Sequence, residues 1–145
     1  MRSIFTSILL VVFCSFGGFS QTDNAAIDQR LIDVYGLQRV QELEESQPQF
    51  IRSLNYYVQN SYMVIYDVPQ HKRDLMPDIS ELHNTRTGES IQESDIDSLN
   101  ILLLDIHLKP DEYRSYKVGS SNMVVIFKSQ EHITLDFNQS EKLRK

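Results

Sequence analysis

The chain has 145 residues, 41% of them hydrophobic, enough for one compact domain with its own core. A formal net charge of −6 speaks against nucleic acid or an anionic lipid surface as the main partner, since neither would gain attraction or counterion release. The single cysteine, Cys14, excludes an internal disulfide and any multi-thiolate metal centre.

Residues 1–20 read as a secretory signal peptide. Arg2 supplies the positive charge, Ile8 to Phe13 the apolar stretch, and Phe16-Gly-Gly-Phe-Ser20 the small-residue exit. Cleavage is expected near Ser20/Gln21, which leaves 21–145 as a single small α+β domain, secreted or periplasmic. The apolar stretch falls short of the roughly 20 residues that a spanning helix needs, so an uncleaved anchor is the weaker reading. No later segment is long and apolar enough, so no integral membrane span is expected after cleavage. Cys14 follows Phe13, whereas a lipid-bearing cysteine requires a small residue before it, so Cys14 belongs to the leader. The mature chain is then free of cysteine, and its core alone must hold it together.

Between Ala25 and Glu45 the apolar residues Ile27, Leu31, Val34, Leu37, Val40 and Leu43 recur every three or four positions, which predicts helix with a break or bend at Gly36. Ser46-Gln-Pro48 stops one helix and starts another, because proline in a first turn sacrifices no hydrogen bond. Phe50, Ile51, Leu54, Tyr57 and Val58 carry the new helix forward. Tyr62 to Val68 is β-branched and aromatic and stops at Pro69, as a strand would. From Gln70 to Asp97 the chain turns polar, with isolated apolar pegs and a turn tip at Thr87-Gly88-Glu89.

Asn100 to Leu108 is expected to be a second strand. Its one face is Leu102, Leu104, Ile106 and Leu108, and its other face passes from Ile101 and Leu103 to Asp105 and His107. Tyr113 to Val118 and Met123 to Lys128 flank Gly119-Ser-Ser-Asn122, the clearest β-hairpin in the chain. Residues 129–138 fit helix or strand, with a short helix capped by Ser129 preferred. The sum is an α+β fold: N-terminal helices packed on a small, mainly antiparallel sheet, with a short C-terminal helix. Parallel βαβ units lack their crossover helices.

Few chemistries find residues to carry them. The glycines are scattered, with no phosphate-binding loop, and no Gly-x-Ser-x-Gly elbow occurs. His71, His83, His107 and His132 never stand four apart and form no His-Glu-x-x-His. Glu81-x-His83 lies amid the polar middle region, and Asp105-x-His107 offers two ligands from one strand face, half of a usual zinc site. Glu89 to Asp97 is acidic but places Leu99 and Ile101 where a calcium loop needs oxygen ligands, so a helical turn capped near Ser94 and Asp95 is the simpler reading. Tyr56, Tyr57, Tyr62, Tyr66, Tyr113 and Tyr116 either share an exposed recognition face or rim the core.

No residue is therefore nominated as catalytic, cofactor-binding or metal-ligating, and no cofactor is implied. The leading expectation is a non-catalytic binding or interaction module of the cell envelope with a protein or glycan partner. The alternative is a metal-dependent or acid/base hydrolase using Asp105 and His107. A third option is pairing of two copies through an edge strand of the hairpin.

Overall fold

The computed structural model describes residues 26–144; the expected leader and its cleavage point lie outside them. Three helices open the fold: α1 (Gln29–Tyr35), α2 (Leu37–Ser46) and α3 (Pro48–Asn60). Asp28 caps α1 by accepting the Arg30 N–H. Gly36 ends it at φ +81°, ψ 150°, a backbone region open in practice only to glycine, and hands directly into α2. Pro48 opens α3 as expected. Leu31, Val40, Leu43, Ile51 and Val58 all turn inward and are buried.

The sheet has three strands in the order β1-β3-β2, all antiparallel, where β1 is Tyr62–Ile65, β2 is Arg114–Lys117 and β3 is Val124–Phe127. Cross-strand partners share a face, so Tyr62, Phe127 and Arg114 lie with Val64, Val125 and Tyr116 on one side. That side is the core face. Phe127 is fully buried, with Tyr62 and Tyr116 rings 6.1 and 5.8 Å from its own. The opposite side carries Met63, Ile126 and Ser115, then Ile65, Val124 and Lys117. Strand β1 is shorter than expected because Asp67 turns the chain at φ +58°, held by a 2.6 Å bond from Asn122 Nδ2. The one-turn α4 (Gln70–Arg73) follows, and Arg73 ties it to the Val68 and Ser121 carbonyls.

The expected second strand over 100–108 is not formed. Asn100 accepts the Leu102 N–H with its side chain and caps a 3-10 turn over Ile101–Leu103, a local competitor that wins over ladder pairing. Ile101 and Leu104, three residues apart, are the buried pair, so the period here is helical rather than two. Only Leu104 makes a bridge, to Asn84. The pegs Ile79, Leu82, Ile91 and Ile96 of the polar middle region all enter the core, and Leu99 just after it does too. The chain closes with α5 (Gln130–Leu143), capped by Ser129 accepting the His132 N–H and longer than expected. The architecture is α+β, with helices packed on a small antiparallel sheet and a C-terminal helix.

Candidate functional site

Loss of the strand over 100–108 changes what Asp105 and His107 can do together. Asp105 turns toward His83, not His107: Oδ1 accepts the His83 backbone N–H at 2.7 Å, and Oδ2 lies 3.3 Å from His83 Nδ1. The return bond, Asp105 N–H to the His83 carbonyl at 3.1 Å, makes this a two-way clasp between segments 22 residues apart. The backbone N–H of His83 is the main reason the Asp105 carboxyl is held below its usual range. The ring of His107 only approaches the Asp105 carbonyl, at 3.4 Å.

All three side chains are exposed, and none lines the hollows described below. Glu81 is occupied elsewhere, in a capping box with Asp78. Among the described residues no three His, Cys, Asp or Glu side chains come together as a metal would need. The acidic Glu89–Asp97 stretch forms a 3-10 turn over Glu93–Ser98, in which Asp95 Oδ2 accepts the Gln92 N–H.

Three hollows adjoin the core. A polar one of about 780 Å³ has Arg30, Asn84, Asp95 and Asn100 on its walls, all already bonded within the protein. A groove of about 580 Å³ between α2, α3 and α5 carries Arg52 and Arg144 on either side of Glu141, at 3.8 and 3.4 Å, with Glu44 and Glu45 also on its wall, so two positive and three negative groups leave it slightly acidic. The neighbouring groove of about 610 Å³ is a helix seam lined by Phe50, Leu54, Tyr57, Ile133 and Phe137. The tyrosines do not share an exposed face either. Tyr56 meets Phe137, Tyr113 meets His132, Tyr62 and Tyr116 face the core, and Tyr66 is exposed.

What remains is the sheet edge. On the hairpin side, β2 is occupied at its Lys117 end: Lys117 N–H donates to the Pro77 carbonyl at 3.0 Å and Asp78 bridges the same residue. On the other side, no backbone hydrogen bond reaches the outer edge of β1 from any described residue. Lys128 N–H donates to the Ser61 carbonyl at 2.8 Å, which sets the alternation: residues 61, 63 and 65 bond to β3, and Tyr62 and Val64 turn N–H and C=O outward. The strand Tyr-Met-Val-Ile carries no charge or proline to deter pairing. Met63 and Ile65, each 40% exposed, extend an apolar surface beside the partly buried Ile126 on the sheet face opposite the core, which is covered at Val124. Sequence reasoning located this strand but missed its exposure, because strand order is not written locally. No protein-family model, no curated protein and no solved structure matches the chain.

Proposed function

We propose that this chain is a small exported protein of the cell envelope that acts without catalysis, as an interaction module that holds a protein partner along β1. One observation carries the reading: an edge strand whose outward-turned backbone groups no described residue pairs, with an apolar outer face, in a fold whose other edge is occupied at its Lys117 end. Export rests on the leader-like first 20 residues. A protein partner suits the site better than a glycan, because the rings that would stack on sugars are dispersed and the edge offers main-chain pairing.

The test is site-specific photo-crosslinking in the producing cell. A photoreactive residue replacing Met63 is expected to give a discrete protein adduct that Ile65→Lys abolishes, whereas the same probe replacing Glu44 on α2 gives none. Equal labelling from both positions, or none from either, overturns the reading.

A further inference from the structure

We propose that the occupant of the β1 edge is a second copy of this chain, paired antiparallel about a two-fold axis through Val64; this rests on the interaction-module reading above. A two-fold pairing sets each residue of the strand against one of its own, so the edge must be complementary to itself. With Val64 on the axis it is. Tyr62 and Val64 turn N–H and C=O outward, so Val64 meets Val64 of the second copy as a mutually bonded pair, and Tyr62 comes opposite Tyr66. Met63 then comes opposite Ile65 on the face opposite the core, and the half-exposed side chains of two copies cover one another.

The strand's own charge does not oppose this occupant. The strand is neutral throughout, so a charged peptide would find no counter-charge on it. The nearest acidic residue in sequence, Asp67, lies beyond the strand at the positive-φ turn, with its carboxylate held by Asn122. The bulk of the chain is acidic, so two copies repel at long range. Added salt must therefore tighten this dimer, the reverse of its effect on attraction to a basic partner.

Sedimentation equilibrium of the purified mature chain tests this, loaded from about 1 to about 500 µM. A reversible monomer–dimer equilibrium is expected, tighter at about 500 mM salt than at about 50 mM. Met63→Lys, on an exposed position away from the core, is expected to weaken it at least about tenfold while leaving the circular dichroism unchanged.

Register is read with single cysteines, in a chain freed of Cys14. A mixture of Met63→Cys and Ile65→Cys chains is expected to form the mixed disulfide faster than either symmetric one, since directly opposed strand residues lie within disulfide reach. A monomer at every concentration, or a dimer indifferent to Met63→Lys with no preference for the mixed disulfide, overturns the inference. If the purified chain stays monomeric while the Met63 probe still captures another envelope protein in the cell, this inference fails and the interaction-module reading stands. If neither occurs, both fail.

Discussion

Asp28 holds Arg30 from two directions: Oδ1 accepts the Arg30 backbone N–H at 3.0 Å and Nε at 2.8 Å, while Oδ2 accepts Nη2 at 2.8 Å. The guanidinium so fixed donates Nη1 to the Leu99 carbonyl at 3.0 Å, and the Arg30 carbonyl accepts Asn100 Nδ2 at 3.0 Å. A helix cap thus becomes the tie between α1 and the segment that leads into the 3-10 turn.

Asp28→Asn is expected to weaken this tie and alter the acid limb of stability. The charge-assisted bonds from the Arg30 side chain hold the Asp28 carboxyl below its usual range against the opposing effect of burial. A lowered native pKa means that the unfolded chain takes up the proton first, so the contribution is present near neutrality and is lost as pH falls between about pH 5 and pH 2. Urea titrations across that interval are expected to show a flatter loss of stability in Asp28→Asn. Asp28→Ala, which also removes the cap, is expected to cost about 1–2 kcal/mol at pH 7.

Gly36→Ala tests a backbone requirement apart from space. A methyl group there would meet nothing within 4 Å, yet φ +81° with ψ 150° is closed to side-chain-bearing residues. A loss of about 1–3 kcal/mol in the urea midpoint is expected, with helix content retained. An unchanged midpoint would mean that the α1–α2 elbow tolerates another conformation.

Phe127 is the keystone of the sheet's core face, touching rings from both neighbouring strands. Truncation of Phe127→Ala is expected to cost about 3–5 kcal/mol, a large part of the stability of a domain this size. Phe127→Leu retains most of the volume and should cost less; equal losses in the two variants would contradict a packing role.

Ser61 presents the opposite case. Its hydroxyl is fully buried without a hydrogen-bond partner among the described residues, which leaves its desolvation uncompensated there. Ser61→Ala is expected to leave stability unchanged or raise it by up to about 1 kcal/mol, measured by thermal and chemical denaturation. A clear destabilisation would show that the hydroxyl is satisfied in solution, for instance by water.

Zinc titration followed by calorimetry addresses the histidines. With the Asp105 carboxylate on His83, the His107 ring toward the Asp105 backbone carbonyl, and no three ligand side chains together among the described residues, His107→Ala is expected to bind zinc no more weakly than the parent chain. A tenfold or greater loss would reveal a metal site assembled in solution.

What could be read from the chain was what neighbours in sequence decide. Gly36 and Pro48 mark the helix breaks, and the Gly119–Asn122 turn marks the hairpin, because glycine and proline act within a few residues of themselves. Ser129 tips an ambiguous tail into helix for the same reason. Asn100 also acts locally, but an apolar run as strong as Leu102 to Leu104 masks a single capping amide. The His83–Asp105 clasp and the bare edge of β1 depend on how distant segments meet, and no periodicity within either segment encodes that. Thus the strand was legible and the site was not.

The contact at Lys117, where Pro77 and Asp78 sit against the hairpin, would also bear on the stoichiometry of the proposed pairing. A sheet with two bare edges can add copies without limit and grow into a filament. This one has a stopper at the Lys117 end of β2, so joining the β1 edges of two copies would consume both and leave outermost only strands capped at that end. Assembly by this route ends at two. Loosening the stopper, for example with Asp78→Gly, would turn a self-limiting pair into a chain that propagates, and turbidity on concentration would report it.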